Sequence, residues 1–158
     1  LEGGGGIDDL VSAAADLGMD TLALTDTDNL CGLWPFLRTC KREGLTPIVG
    51  AEVTDPRRKK RAVCLVEDDA GYRNLCRLLT RRHMAADFDL KEDLPNYATG
   101  LTVLTQDADL LRTWHSAGAT VAAMDGWIAD DASLAYLGAA SFELWFDQGQ
   151  NAGFRAVF

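Results

Sequence analysis

Short apolar runs alternate with amphipathic helical patterns through most of this sequence, and the alternation constrains the fold more than any other feature. Apolar residues at helical spacing over 7–17 end at Gly18, and the run 21–25 (TLALT) that follows is short and bounded by aspartates. A second helical pattern ends at Gly44 before the apolar run 47–53. Glycine commonly ends helices, and short apolar runs between turn residues are typical of buried strands. The helix and strand therefore repeat as a unit.

The same pattern continues through the rest of the sequence. Further strands are predicted at 62–66, 101–104, 119–124 and 142–146, and further helices at about 70–84, 107–117 and 130–139. Six strands interleaved with helices predict an α/β protein with a mainly parallel sheet. Periodicity is the same in an open doubly wound sheet and in a barrel, so both architectures stay open at this point.

Length and composition indicate one folded domain. The chain has 158 residues, and we expect a single domain over 1–158. No apolar stretch approaches the roughly 18 to 20 residues of a membrane helix, so we expect no membrane partner. The cysteine spacing fits neither a zinc knuckle nor a dense disulfide framework, and we therefore expect reduced thiols and a cytoplasmic location. The sequence begins LEGGGG without an initiator Met, and we interpret it as an internal fragment. Four cysteines without a CxxC pair and only two histidines, His83 and His115, argue against a histidine-rich metal cluster.

The charge is unevenly distributed. The net charge of −9 argues against binding nucleic acid through overall charge, although residues 38–82 contain 12 basic and 6 acidic side chains. Two basic groups are candidates for contacts with nucleic acid or a partner, and a solvated loop and helix face is the alternative. The first follows the turn signal Asp55-Pro56 and the second repeats at helical spacing: Arg57, Arg58, Lys59 and Lys60, then Arg73, Arg77 and Arg81.

Acidic residues follow nearly every predicted strand. They are Asp26, Asp28, Glu67, Asp68, Asp69, Asp107, Asp125 and Asp147, with Glu52 near the end of the second strand. In parallel α/β folds, sites gather beyond the carboxyl ends of the strands, where oxygen ligands could hold Mg²⁺ or Mn²⁺. The alternative is that each aspartate caps the helix that follows its strand. The residues alone leave both interpretations open.

Two stretches carry a resemblance to a known family. Residues 14–53 (AADLGMDTLALTDTDNLCGLWPFLRTCKREGLTPIVGAEV) and 61–83 (RAVCLVEDDAGYRNLCRLLTRRH) resemble the PHP (polymerase and histidinol phosphatase) domain of bacterial DNA polymerase III alpha subunits, nearest the error-prone alpha paralogue. The resemblance is weaker over 97–105, and the region 115–158 resembles nothing recognisable. It implies a distorted (β/α)7 barrel, incomplete in this chain. Active members of the family hold up to three metal ions and hydrolyse phosphoester bonds.

At the ligand positions that the resemblance implies, this sequence departs from the family. Thr27 stands where the family has the histidine of a TDH pattern, and Arg61 stands where the next strand opens with a histidine. Glu52 retains the glutamate of the GxE pattern, and the family's first HxH would lie before Leu1. The resemblance therefore implies a degenerate metal site with no cofactor. A magnesium or manganese site formed by Asp26, Asp28 and Glu52 is the alternative.

The sequence also gives geometric expectations. We expect 21–25, 48–53 and 62–66 to be adjacent parallel strands, with Asp26 and Glu52 at the same end. Arg61 should reach into the former metal pocket and pair with Glu52, since a buried carboxylate needs a partner. His83 is predicted to be a favourable charge at a helix terminus. The apolar runs place three tryptophans in the core: Trp34, Trp127 and Trp145.

The resemblance implies the function. We expect the PHP domain of a DNA polymerase III alpha-like protein, inactive as a fragment, which serves as a structural and docking module in replication or error-prone repair synthesis. Its partners would be the remaining polymerase domains, with DNA or replisome subunits as further candidates. The alternative is a stand-alone metal-dependent phosphoesterase or 3′–5′ exonuclease of the same family. The count of two histidines favours the first interpretation.

Overall fold

A five-stranded sheet runs through residues 6–123, which are the residues that the computed structural model describes. Its strands follow the chain in the order β1-β2-β3-β4-β5, and helices pack against the sheet. The strands are β1 Thr21–Thr27, β2 Thr46–Thr54, β3 Arg61–Val66, β4 Leu101–Thr105 and β5 Thr120–Ala123. The helices are α1 Ile7–Asp16, α2 Leu33–Glu43, α3 Asp69–Met84, α4 Leu90–Asp93 and α5 Ala108–Ser116, with a 3₁₀ helix at Leu94–Tyr97.

The α/β class is confirmed, and each strand and helix predicted within 6–123 is present to within a few residues. The structure also contains α4 and the 3₁₀ helix, which the periodicity did not predict because both are single short turns. Several predictions lie outside the described residues: the strand at 142–146, the helix at 130–139, Asp125, Asp147, Trp127 and Trp145.

The direction of β3 differs from the expectation. β1 and β2 are parallel, as predicted, but β3 is antiparallel to both β2 and β4. The expectation of three parallel strands was therefore wrong for β3. A parallel connection needs a crossover of a dozen or more residues, whereas β2 and β3 are joined by only residues 55–60, which form a hairpin. β4 and β5 return to the direction of β1 and β2.

The larger core cluster lies between the sheet and the helices α3, α4 and α5. Leu75 and Leu78 of α3, Leu110 of α5 and the indole of Trp114 are fully buried there against β2, β3 and β4. The indole N–H of Trp114 donates to the carbonyl of Lys91, which satisfies its polar atom. By anchoring α3 and α5, this cluster positions the last turn of α3 and the first turn of α5, which flank the candidate site.

A second cluster joins α1 and α2 to β1. Val11, Phe36 and Cys40 are fully buried in it. Trp34, predicted to lie in the core, is instead 76% exposed. The inward-facing residues of α2 are Leu33, Phe36 and Cys40, at the i, i+3, i+7 spacing of one helix face, and Trp34 lies off that face.

Within residues 6–123, every helix is too short or too polar to span a lipid bilayer.

Candidate functional site

Thr27 and Glu52 face each other across the carboxyl ends of β1 and β2. They are register partners in the parallel pair, and Asp26 is the partner of Ala51 one position earlier. Asp26 and Glu52 therefore lie at the same end of the sheet, as the sequence predicts. Arg61 opens β3 opposite Thr54 and lies at this end too, since β3 is antiparallel. The three positions singled out by the resemblance are thus neighbours.

Glu52 is held by both of its neighbours. The hydroxyl of Thr27 donates to Oε2 of Glu52 at 3.0 Å, and Nη1 of Arg61 lies 3.3 Å from Oε1. The predicted Arg61–Glu52 pair is present. Its side chains are 60% and 20% exposed respectively, so the guanidinium sits at the rim and not in a buried pocket. Each carboxylate oxygen of Glu52 thus has one protein partner.

Asp26 is engaged with the backbone at the start of α2. Its Oδ2 accepts from the N–H of Gly32 at 2.8 Å, and Gly32 directly precedes the helix. A methyl group at Gly32 would lie 2.9 Å from that oxygen, so glycine permits the close approach. Asp26 therefore satisfies a helix N-terminal donor, which is the structural alternative weighed for the acidic residues.

Asp28 binds β2 and the last turn of α3. Its backbone is left-handed, with φ of 56°, and its Oδ1 accepts from the N–H of Thr54 at 2.8 Å. Its Oδ2 accepts from the Thr54 hydroxyl and lies 3.2 Å from Nη2 of Arg82. Arg82 also donates from Nε to the carbonyl of Thr54 at 2.6 Å. The carboxylate is therefore occupied by protein donors.

His83 adjoins this network. Its Nε2 lies 2.6 Å from the carbonyl oxygen of Asp28, so that nitrogen carries the proton and donates. The sequence predicted only a favourable helix-terminal charge for His83, and it gave no role to Arg82. Nothing local in the sequence signals either contact, because each joins residues more than 25 positions apart.

The other acidic residues predicted to follow strands do not form a ring with Glu52, as far as they lie within 6–123. Glu67 lies at the opposite end of the sheet, because β3 is antiparallel, and it accepts from the hydroxyl of Thr102. Asp68 caps α3 through the N–H of Gly71, and Asp107 caps α5 through the N–H groups of Asp109 and Leu110. The ring expectation was therefore wrong for residues 67–69.

Asp107 also lies 3.0 Å from Nζ of Lys60. Burial raises the pKa of Asp107, but the N–H of Leu110 and the ammonium of Lys60 outweigh it and hold the pKa below its usual value. This carboxylate is charged and committed to a capping contact and an ion pair.

The donor set at the mouth of β1 and β2 does not fit a metal ion of the PHP type. It offers a hydroxyl at Thr27, a cation at Arg61 and one carboxylate, Glu52, that already binds both. Zinc and manganese prefer imidazole, thiolate or several carboxylates, and a guanidinium adds positive charge where a cation would sit. Among residues 6–123, no group of three or more His, Cys, Asp or Glu side chains is arranged to hold an ion.

Three of the four loop cations bind the protein itself. Arg57 donates to the carbonyls of Asp87 and Phe88, Arg58 lies 3.0 Å from Oδ2 of Asp89, and Lys60 binds Asp107. Lys59 is exposed, with φ of 53°, and makes no ion pair or hydrogen bond within the described range. The loop is thus folded onto the segment that precedes α4.

Buried Asp55 anchors that loop. It accepts from the N–H groups of Arg57, Arg58 and Leu90 at 2.7 to 3.0 Å. Burial raises the pKa of Asp55, but the three backbone donors outweigh it and the net pKa is lowered. The sequence marked Asp55 only as a turn residue.

The helical cations divide into two kinds. Arg81 is 3.0 Å from Asp87 and 3.1 Å from Asp93. The side chains of Arg73 and Arg77 are exposed and make no ion pair or hydrogen bond with any other residue of 6–123. Contact of these cations with nucleic acid or a partner stays a prediction.

Comparison with known proteins gives a family match. The family model described as PHP domain matches residues 1–137. Among solved structures, a protein described as a metal-dependent phosphoesterase from Bifidobacterium adolescentis is similar to 89% of this chain and 52% of its own, with a TM-score of 0.41 and 16% sequence identity.

Curated relatives fall into two groups. The error-prone DNA polymerase of Anaeromyxobacter sp. (strain K) is 45% identical in an alignment of 87 positions that covers 52% of this chain and 8% of that protein. The DNA polymerase III subunit alpha of Chlamydia pneumoniae is 32% identical in an alignment of 117 positions that covers 63% of this chain and 9% of that protein. This chain therefore spans less than a tenth of these relatives and has the higher identity to the error-prone polymerase.

Proposed function

This chain belongs to the PHP domain family, and on that premise we propose that it is the PHP domain of a DNA polymerase III alpha-like protein of the error-prone kind. In this proposal it acts as a structural and docking module, without hydrolytic activity of its own. DNA synthesis in replication or error-prone repair resides in the parts of the polymerase outside this chain, and the location is the cytoplasm. The names and lengths of the curated relatives support the parent protein.

We propose that the chain lacks hydrolytic activity because Glu52 is paired with both Thr27 and Arg61. A PHP-type centre would hold metal ions through several imidazoles and carboxylates. Here the retained carboxylate is bound by a hydroxyl and by a fixed cation. To bind a divalent ion, Glu52 would have to release Arg61 and place a second cation beside it, and like charges at such distances repel.

The first partner in this proposal is the rest of the same polymerase chain. The matched regions are only 8% and 9% of the relatives, so most of such a protein lies outside this domain and offers it neighbours. DNA and other replisome subunits are further candidates. Three cations support DNA or replisome subunits as partners, because no acidic side chain among the described residues pairs with them: Lys59, Arg73 and Arg77.

The second candidate is a metal-dependent phosphoesterase or 3′–5′ exonuclease of the PHP family. Glu52 favours it, as the glutamate retained at the carboxyl end of β2. Asp26 and Asp28 do not favour this candidate. Asp26 caps α2, and Asp28 is bound by Thr54 and Arg82. Such an enzyme would need ligands from residues beyond 6–123.

A hydrolysis assay separates the two candidates. The chain is incubated with bis(p-nitrophenyl) phosphate, a generic phosphodiester, and with Mn²⁺, Mg²⁺ or Zn²⁺. The proposal predicts that none of the ions raises the rate above that of the buffer. A cation-dependent rate that Glu52→Gln abolishes and Glu67→Gln, at the opposite end of the sheet, leaves intact would establish the phosphoesterase instead.

A further inference from the structure

The outer surface of α3 carries two parallel ridges of different chemistry. Residues four apart on a helix lie along one ridge. One ridge is largely apolar and the next is cationic. The first comprises Tyr72, Cys76, Thr80 and Met84, and the second comprises Arg73, Arg77 and Arg81.

A groove of about 590 Å³ lies along the C-terminal part of these ridges, from Cys76 to Met84. Tyr97 and Ala85 line it together with Cys76, Arg77, Thr80, Arg81 and Met84. The side chain of Met84 is 81% exposed, and Tyr72, one turn before Cys76, is 38% exposed. Flexible, polarisable methionine is common at surfaces that bind other proteins. The floor of the groove can therefore bury apolar side chains of a partner.

The cationic ridge carries charge that acidic side chains within 6–123 neutralise only at Arg81. Arg81 is paired with Asp87 and Asp93, whereas Arg73 and Arg77 lie one turn apart without an acidic partner among residues 6–123. Like charges one turn apart disfavour a helix unless anions neutralise them. The ridge is therefore complementary to carboxylates beside an apolar face.

We propose that the α3 groove docks an amphipathic helix of a partner protein, whose apolar residues enter the groove while adjacent carboxylates pair with Arg73 and Arg77. The inference rests on the docking role proposed above and names its surface. A helix laid in a groove presents such parallel apolar and charged rows.

A nucleic acid fits this surface less well. Two free guanidinium groups offer few phosphate contacts, and the net charge of −9 repels a polyanion. The phosphate backbone also gives the apolar ridge nothing to bury. A protein helix uses both ridges at once.

Fluorescence anisotropy with defined probes tests the proposal. The probe is a labelled synthetic helix of about 18 residues, long enough to be helical in water, with a leucine row beside a glutamate row. A matched peptide carries lysine in place of glutamate, and a mixed-sequence DNA duplex is the third probe. We expect the glutamate peptide to bind about tenfold more tightly than the lysine peptide.

Charge reversal locates the contact. Arg73→Glu/Arg77→Glu should weaken the glutamate peptide about tenfold and reverse the preference in favour of the lysine peptide. Met84→Lys should weaken the binding of both peptides. The matched control is Arg38→Glu, an exposed arginine of α2 without an ion pair among the described residues, which should change nothing.

Three outcomes would overturn the proposal. The first is that the double variant binds the glutamate peptide as tightly as the unmodified chain does. The second is that the DNA duplex binds more tightly than either peptide, and the third is that the chain self-associates through the same arginines. None of them bears on hydrolysis. If the docking proposal fails, the proposed absence of hydrolysis at Glu52 is unaffected, because metal ions and phosphodiester cleavage test it separately.

Discussion

The hydroxyl of Thr27 donates a 3.0 Å hydrogen bond to the carboxylate of Glu52, its register partner on the neighbouring parallel strand. Arg61 approaches the other carboxylate oxygen from the antiparallel side. One glutamate thus links three strands at the mouth of the sheet. Both partners stand at positions where the family resemblance implies histidines.

Arg61→Ala should cost little stability. The Arg61 side chain is 60% exposed, and an exposed ion pair contributes about 0 to 1 kcal/mol. Arg58→Ala is the matched variant, because Arg58 is 54% exposed and also pairs with a carboxylate. Urea unfolding should give losses below about 1 kcal/mol for both. A loss above about 3 kcal/mol for Arg61 alone would mean that its charge is buried in the folded domain.

Asp28→Asn should destabilise the domain by about 2 to 4 kcal/mol, because it leaves the Arg82 guanidinium, which is only 18% exposed, without its counter-charge. Asparagine tolerates the left-handed backbone at φ of 56°. Asp28→Ala should cost about 1 kcal/mol more, since alanine adds backbone strain. Thermal unfolding of the two variants, with exposed Asp20→Asn as the control, separates charge from strain. If Asp28→Asn unfolds at the same temperature as the control, the contacts of Asp28 with Thr54 and Arg82 do not stabilise the domain.

Asp55 should make the stability depend on acid pH. Its pKa is lowered in the folded domain, so its contribution is present above the ordinary carboxyl pKa and is lost as pH falls through the folded value. Asp55→Asn should flatten this part of the stability profile and lower stability near neutral pH by about 2 to 4 kcal/mol, as three backbone donors lose a charged acceptor. Urea midpoints from pH 7 to pH 3 check it. An unchanged acid slope would show that other carboxylates dominate.

Gly71→Ala should disrupt the start of α3. A methyl group there would lie 1.8 Å from the carbonyl oxygen of Gly100, which the backbone cannot accommodate without moving. We expect a loss above about 3 kcal/mol or failure to fold. Gly118→Ala is the contrast: its φ is +84° but its Cβ would meet open space, so only about 1 kcal/mol of strain is expected. Circular dichroism melts of both variants make the comparison, and equal melting temperatures would contradict the close approach at Gly71.

Local patterns predicted the elements better than their directions. The run TLALT and the apolar run before Glu52 predicted β1, β2 and their common carboxyl end. The direction of β3 could have been read from the six residues of loop 55–60, which are too few for a parallel crossover. Trp34 is exposed because it lies off the helix face formed by Leu33 and Phe36, so its apolar character alone does not predict burial.

The site was predictable only in part. The departures at Thr27 and Arg61 were visible from the resemblance, and the Arg61–Glu52 pair followed from the need of a carboxylate for a partner. The contacts of Arg82 and His83 with Thr54 and Asp28 were not, because they join the end of α3 to strand ends far away in sequence. Residues this distant meet through tertiary packing, for which a helical or alternating pattern carries no signal.

Elemental analysis of the chain, purified without chelator and dialysed against Mn²⁺ or Zn²⁺, tests directly whether the site at Glu52 binds a metal ion. With Glu52 bound by Thr27 and Arg61, and no three-ligand cluster among residues 6–123, the account predicts well under one ion per chain. Glu52→Gln should leave that value unchanged. Two or three tightly bound ions per chain, reduced by Glu52→Gln, would contradict the account and establish a working metal centre.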